Sequence, residues 1–587
     1  MAAPVAAIVL PVIIAYIVGY WAYGRKVIER KVVKADATRK TPAWTRYDGV
    51  DYVPANKWVL YGHHFASIAG AGPIVGPALA SVYGWFAPLL WVIFGNLFIG
   101  AIHDYLALMA SVRHGGISIM SVAESVMGKK AKYAFLVYVW GALLLVIAAF
   151  LSVAATIYSV ISPNAATKAV VYMPIALLLG YLMYRAGLGI TKSTIIAIVL
   201  AILGYVYSLY VPLYLSYNSW VYVLMLYSFI AAALPVWYLL QPRDYLNAYL
   251  LWAFVIASAF AALLILDVPL KQPAIITWVA PAAIIGAGGT PIANEPLAPF
   301  WPSIALVIAC GALSGFHSVV ASGTTSKQLA SEMDALLIGY GGMLTEGAVS
   351  TLAVITPIAV AWDKVATLPK PLAKFTVGYG EMLGIALGRL GFDVAAAAFA
   401  AKVFAAIALT TFVLTTLDTA NRLARFAWSE MFDFLAERNQ SLYKLLTNRW
   451  VASAISIALG GLLAIQTVDG TPAWRVVWPA FAGTNQLLAA LALMTSALWI
   501  YVVLRVRGWL ALTVVAPAVF LWVTVTTALA MWLVLIVPHL KPIFQIGAGG
   551  VTAISFILDL YLFYAFAKQL LRAKKEEAIA KARTTTS

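Results

Sequence analysis

"YGHHFASIAGAGPIVGPALA", residues 61–80, lies in an apolar run long enough to cross a bilayer, yet it holds two adjacent histidines, four glycines and two prolines. Glycine lacks a Cβ and proline lacks an N–H, so both interrupt the helical hydrogen-bond ladder. In lipid, each N–H and C=O freed in this way must be satisfied by substrate, ion, water or neighbouring protein. The break is expected at Gly70, with Gly72, Pro73, Gly76 and Pro77 as its hinge. A helix half starting near Gly72 would turn free N–H groups toward an anion such as a carboxylate.

The same ingredients return in "CGALSGFHSVVASGTTSKQLA", residues 310–330. Gly70 follows Trp58, and Ser314 and Gly315 follow Pro302, at nearly the same interval, so the two breaks sit at equal depth. Gly311, Ser314, Gly315 and Phe316 form the second hinge, and Ser322, Gly323, Thr324 and Thr325 supply small and hydroxyl groups beyond it. The two segments run in opposite directions across the membrane. Paired broken helices of opposite direction are the sequence sign of an inverted-repeat secondary transporter. Glycines that only pack neighbouring helices closely are the alternative reading.

Working outward, the chain has 587 residues, 63% hydrophobic and 11% charged, with mean hydropathy +0.91. Fifteen apolar runs of spanning length are read from it, near 4–22, 58–80, 84–112, 133–161, 169–187, 193–215, 220–241, 248–268, 302–322, 335–361, 394–417, 450–468, 478–504, 509–537 and 545–567. The fold class is therefore an all-α polytopic membrane protein. The first run has no basic stretch before it and is read as a permanent helix rather than a signal sequence. The segment 269–301, crowded with proline and glycine, is read as re-entrant or lining. Residues 362–393 are read as a loop, 418–449 as holding an amphipathic interfacial helix, and 568–587 as a basic tail. This divides the chain into an accessory helix (1–22), a basic loop (23–57), a core (58–504), accessory helices (505–567) and the tail.

The net charge of +16 is distributed rather than general. With Met1 outside, alternate loops hold 30 of the 39 Lys and Arg and the opposite loops hold 8. That asymmetry is the positive-inside rule, placing the C-terminus in the cytoplasm and the basic loops against anionic lipid. Nucleic acid is not an expected partner. The single cysteine, Cys310, excludes an intrachain disulfide.

Ionisable groups inside membrane helices are costly and are functional candidates on that ground. They are His63, His64, His103, Asp104, His317, Glu346, Lys402, Asp559 and, at a helix end, Asp418. Histidine titrates near neutral pH and suits proton coupling. His63 and His64 are adjacent and so point about 100° apart on a helix, which sends one toward the site and the other toward a neighbour. Glu346 and Lys402 are expected either to pair with each other or to take part in proton coupling. Thr410, Thr411, Thr415 and Thr416 offer oxygen ligands for sodium instead, which leaves the coupling ion open. Arg243, Asp244, Asp418 and Arg422 fall at cytoplasmic helix ends and are read as gating pairs. Asn485 and Gln486 are read as interhelical hydrogen-bonders. His63 and His317 could hold a metal, but no HExxH motif or cysteine ligand set accompanies them, and no metal or cofactor is expected.

At these residues the chain resembles the carbon starvation protein family. The resemblance is carried by "NKWVLYGHHFASIAGAGPIVGPALA" (56–80), "LPVWYLLQPRDYL" (234–246), "ACGALSGFHSVVASGTTSKQLASE" (309–332), "LTTLDTANRLARF" (414–426) and "WPAFAGTNQLLAALAL" (478–493), in that order. It implies a cytoplasmic-membrane transporter related to the amino acid–polyamine–cation superfamily. Its core would be a LeuT-like five-plus-five inverted repeat with accessory helices. It also implies uptake of short peptides or of pyruvate, linked to carbon starvation, without deciding between them. A relative's sodium position filled by Lys402 is a further implication. No phosphate-binding GxxxxGK[ST] loop is present to make the chain an ATP-driven pump. A channel, a ligand sensor on a transporter fold, and a histidine–metal membrane enzyme are the rival classes.

Overall fold

The computed structural model describes residues 4–235, 238–281, 297–359, 361–366, 368, 371–468 and 471–585. Helix α1, Ala6–Val33, does not stop with the first apolar run. "GRKVIERKVV" has charges but no helix breaker after its glycine, and charged long side chains are good helix formers. Arg25 and Glu29 face each other one turn apart at 3.9 Å. The basic loop therefore begins after Val33, not at residue 23.

The first broken helix follows as α2, Lys57–Ile68, and α3, Gly72–Ala80. Asn56 caps α2, its side-chain oxygen accepting from the Trp58 N–H at 2.9 Å. Ala69 leaves helical geometry at ψ 75°, and α3 restarts on Gly72–Pro73, where the missing proline N–H costs nothing. The two halves are bent by 42°. Next come α4 (Phe86–Arg113), the short α5 (Ile119–Met127) in the connection that follows, α6 (Lys129–Ile161), α7 (Pro163–Tyr184), α8 (Ile190–Tyr210), α9 (Tyr217–Ala233) and α10 (Leu240–Leu264).

Strands β1, Val279–Pro281, and β2, Leu297–Pro299, pair antiparallel. Residues 282–296 between them lie outside the described residues, and the central part of the segment 269–301, read as re-entrant, falls there. The second broken helix is α11, Phe300–Val307, an unwound stretch at 308–314, and α12, residues 315–328. Gly311 takes φ +85°, the left-handed region that an L side chain rarely enters.

Helix α13 covers 336–359. Helix α14, Pro371–Gly388, corrects the reading of 362–393 as a loop. Asp363 pairs with Lys271 at 2.5 Å, and Arg389 binds Asp267 and the Leu264 carbonyl. The chain thus leaves the face at the end of α10 and is back on it at residue 389, so α14 adds no net crossing. Helix α15, Val394–Met431, runs unbroken through the segment expected to hold an interfacial helix. Asp418, Arg422 and Arg425 are therefore on a spanning helix. The last elements are α16 (Arg449–Ala464), α17 (Trp474–Val503), α18 (Trp509–His539) and α19 (Gly550–Thr585), which carries the basic tail as helix.

Among the described residues, 11 helices are long and apolar enough to cross a membrane, or up to 13 when each bent pair counts as one span. The short α9 and the halves of the second broken helix fall outside that count. In the interior α6 packs on α15, α16 and α17, α2 packs on α10, and α11 and α12 pack on α17. The two broken helices are enclosed by these neighbours: every residue from Val59 to Leu79 except Leu79 itself is buried, as is every residue from Pro302 to Ser326.

Candidate functional site

The two breaks touch. A Cβ at Gly72 would lie 2.3 Å from Cys310 Cβ, and one at Gly76 would lie 2.7 Å from Ile308 Cα and the Val307 oxygen. Gly70 abuts Phe150 and Thr416, Gly315 abuts the α17 backbone at Asn485 and Ala489, and Gly323 abuts Leu423. Gly72, Gly76 and Gly315 let backbone approach backbone, and Gly70 and Gly323 make room for neighbouring side chains, which is the packing use of small residues.

The polar groups freed at the breaks are satisfied by side chains. Asn485 Nδ2 donates to the Ala309 carbonyl at 2.7 Å, and its Oδ1 accepts from the Phe316 N–H at 2.8 Å. Ser314 shares the same Asn485 amide. Gln486 donates to the Ile308 carbonyl, and Asn96 donates to the carbonyls of Gly311 and Met343, each at 2.8 Å. Ser350 donates to the Pro73 carbonyl at 2.8 Å and Thr416 to the Ser67 carbonyl at 3.1 Å. Asn485 and Gln486 thus act across helices, as their position suggested. Asn96 was missed, because a lone asparagine in an apolar run carries no motif.

His63 and His64 diverge as adjacent helical residues must. His63 Nδ1 lies 2.9 Å from Asp244 Oδ2 on α10, and His64 Nδ1 lies 2.8 Å from the Thr325 hydroxyl on α12. Both Nε2 atoms are buried without a hydrogen-bond partner. Asp244 also receives Arg243 Nε and Nη2 at 3.0 and 2.8 Å, and Arg243 Nη1 binds Asp418 Oδ2. Tyr227 donates to Asp418 at 2.7 Å. This network joins α2, α9, α10 and α15, and its members Arg243, Asp244 and Asp418 are 0–1% exposed. Arg422 reaches the C-terminal carbonyls of α9 and pairs with Asp51 at 3.2 Å, latching the segment before α2 to α15.

A second network surrounds the other break. His103 Nδ1 is 2.8 Å from Asp104 Oδ1, and His317 Nδ1 is 2.9 Å from Asp104 Oδ2. On its other side His317 Nε2 faces Glu346 Oε2 at 3.1 Å and Cys310 Sγ at 3.0 Å. Cys310, His317 and Glu346 each offer a ligand atom within 4.8 Å of the others, a spacing that suits a metal ion. Sequence spacing could not show this trio, since Cys310 lies in the unwound stretch and Glu346 on α13, 36 residues further along the chain.

Other expected residues fall elsewhere. Lys402 is exposed on α15, and no ion pair joins it to Glu346. The Ser322 and Thr324 hydroxyls donate to carbonyls of their own helix, at Ser318 and Val320. Asp559 is buried on α19, held by the Trp522 indole and the Thr526 hydroxyl. Lys168, counted with an outer loop, is 4% exposed, with its ammonium 3.0 Å from the Thr411 hydroxyl and 3.5 Å from the Tyr172 ring centre.

Known proteins resemble this arrangement in sequence and in fold. The profile described as "Carbon starvation protein CstA" matches residues 5–400 and 359–529. The chain is 32% identical to the peptide transporter CstA of Escherichia coli, over 89% of this chain and 80% of that protein. It is 30% identical to the pyruvate/proton symporter BtsT of Escherichia coli, over 92% and 83%. A crystal structure of the Eremococcus coleocola manganese transporter, in complex with an aromatic bis-isothiourea compound, overlays with a TM-score of 0.50 at 11% identity, covering 89% of this chain and 99% of that one. That likeness is one of fold, the LeuT-like transporter architecture that the family resemblance implied. With a peptide transporter and a pyruvate/proton symporter among its relatives, the chain belongs to the carbon starvation protein CstA family and is a multi-pass membrane transporter, not an enzyme.

Proposed function

We propose that this transporter imports a small carboxylate-bearing solute, pyruvate or a short peptide, together with protons by alternating access. The observation that carries the reading is the meeting of the two broken helices, with His63 on the first of them bound to the Asp244–Arg243–Asp418 network. Alternating access moves one repeat against the other around such a centre. His63 and Arg243 share Asp244, so a proton on His63 competes with Arg243 for that carboxylate. Protonation and the α10–α15 lock are thereby coupled. The Arg422–Asp51 latch closes the same inner side. The basic loops put the C-terminus in the cytoplasm and the N-terminus outside, with anionic lipid at the inner face. The two Escherichia coli relatives, a peptide transporter and a pyruvate/proton symporter, support both solutes.

The test is uptake into proteoliposomes of labelled pyruvate and of a labelled dipeptide, under inward proton or sodium gradients. One solute should accumulate under the proton gradient and lose accumulation with a protonophore. His63→Gln should keep solute exchange at equal pH and lose gradient-driven accumulation. Accumulation driven by sodium alone, or of neither solute, would overturn the reading.

A further inference from the structure

Three electron-pair donors converge at the second helix break. Asp104, as a carboxylate, only accepts hydrogen bonds, so the proton of His317 sits on Nδ1, facing Asp104 Oδ2 at 2.9 Å. In its neutral, metal-ligating form the imidazole turns the lone pair of Nε2 toward the Cys310 sulfur at 3.0 Å and Glu346 Oε2 at 3.1 Å. A single proton on Nε2 could serve only one of these two neighbours. Neither Glu346 oxygen completes a hydrogen bond, although the side chain is fully buried. Its one ion-pair contact among the described residues is His317 Nε2, 3.1 Å from Oε2, and a metal ion between the two would balance a carboxylate buried so deep in a membrane protein.

We propose that Cys310, His317 and Glu346 bind one divalent transition-metal ion of the thiolate-accepting class, typified by Zn²⁺, across the second break. Thiolate, imidazole and carboxylate bind zinc at about 2.3, 2.0–2.1 and 2.0–2.2 Å. Tetrahedral angles then set neighbouring donor atoms roughly 3.3–3.6 Å apart. The 3.0 and 3.1 Å separations seen here need to open by only a few tenths of an ångström. Asp104 on Nδ1 completes the carboxylate–histidine–metal relay that fixes the tautomer of a ligating histidine. On binding, the Cys310 thiol proton leaves to solvent and the thiolate and Glu346 together balance the dication. The fourth position stays open for water or a solute group. Cys310 lies in the unwound stretch, His317 on α12 and Glu346 on α13, so the ion ties both sides of the break to a third helix. His63 and the Arg243 network are not part of this site.

The experiment uses the full chain in detergent micelles, stripped with a chelator and titrated with Co²⁺. Monodispersity is checked for each variant, and no transport assay enters the readout. The expected result is one equivalent of cobalt bound, with a thiolate-to-cobalt charge-transfer band that Cys310→Ser removes. His317→Gln and Glu346→Gln should each abolish stoichiometric binding. Asp104→Asn should weaken it by about 10–100-fold, and His63→Gln should bind as the parent does. A monodisperse parent chain that shows no charge-transfer band overturns the proposal and leaves the cluster as a carrier of protons. A band that survives in Cys310→Ser overturns it equally.

Discussion

Replacing Arg243 with methionine keeps the unbranched apolar stem of the side chain and removes the charged guanidinium. The guanidinium is 1% exposed and holds two carboxylates, Asp244 through Nε and Nη2 and Asp418 through Nη1. Its loss leaves two fully buried carboxylates with Tyr227 and His63 as their remaining polar partners. Breaking a buried ion pair from one side costs about 3–5 kcal/mol, mostly the penalty of the charge left unpaired. Asp418→Asn alone is milder. It keeps an acceptor oxygen for Tyr227 and Arg243 and loses charge-assisted hydrogen bonds worth about 1.5–3 kcal/mol. If the pair is real, Arg243→Met with Asp418→Asn costs less than the sum of the two, because the second change removes one of the charges stranded by the first. A coupling of about 1–3 kcal/mol is expected, within the range seen for residues in one polar network.

Equilibrium unfolding of the four proteins in mixed micelles measures that coupling directly. Proteoliposome uptake by the same proteins asks whether the lock is also needed for transport. Additivity within about 0.5 kcal/mol would show that Arg243 and Asp418 do not share an interaction, and the network that joins α10 to α15 would have to be discarded.

Four further outcomes follow from particular contacts. Gly72→Ala sets a Cβ 2.3 Å from Cys310 Cβ, where carbon atoms rest about 3.5–4.0 Å apart; it should cost about 1–3 kcal/mol in unfolding, whereas Gly550→Ala, with no neighbouring atom nearer than 4.0 Å, should not destabilise. Asn485→Ala strips the Ala309 carbonyl and the Phe316 N–H of their partner and should cost at least about 1–3 kcal/mol; a loss under half of that would mean water replaces the amide. Lys402→Met should leave unfolding within about 0.5 kcal/mol and uptake unchanged, while Lys168→Met, which empties a buried place beside Thr411, should lower uptake; equal effects would refute the assignment. Hydrogen bonds from Arg389 hold the exposed Asp267 carboxyl below its ordinary range, so the latch it forms is present at neutral pH and is lost only as pH falls through that lowered value; hydrogen-exchange protection at 389–393 that declines before the ordinary carboxylate range would contradict this.

How far the sequence could be read depends on how local each signal is. The breaks were legible because Gly70–Pro73 and Gly311–Gly315 carry their own reason for leaving the helix. The divergence of His63 and His64 was legible because it follows from helical pitch alone. Their partners were not, since Asp244 and Thr325 lie 181 and 261 residues away in the chain. Asp104 was noticed beside His103 but not connected with His317, from which 213 residues separate it. Glu346 faces His317 rather than Lys402 because α13 turns it toward the second break. Helix α14 escaped notice because "PLAKFTVGYGEMLGIALG" is rich in glycine and broken by Lys374 and Glu381, so it lacks the apolar run by which spans are found. The charged continuations of α1 and α15 escaped for the opposite reason: charge was taken as the end of a helix, though it marks only the end of the lipid.

The breaks were expected to leave backbone groups for a ligand. In this conformation the carbonyls of Ser67, Pro73, Ile308, Ala309 and Gly311 and the N–H of Phe316 are already held by side chains. Gly72 and Gly76 press on the stretch from Val307 to Cys310 with no room for even a methyl group. A solute that binds between the breaks must therefore separate them and displace some of these side chains. Asn485 and Ser350 are the groups best placed to yield, because each holds one break from a neighbouring helix and keeps hydrogen-bonding capacity for a carboxylate or amide. The histidine networks lie on the two elements that would part, His63 with α2 and His317 with α12. On the proposed function, opening the centre would pull on His63 at Asp244 and on His317 at Asp104. That gives His63 a physical reason to stand beside a broken helix: it ties the separation of the break to the Asp244–Arg243–Asp418 charges.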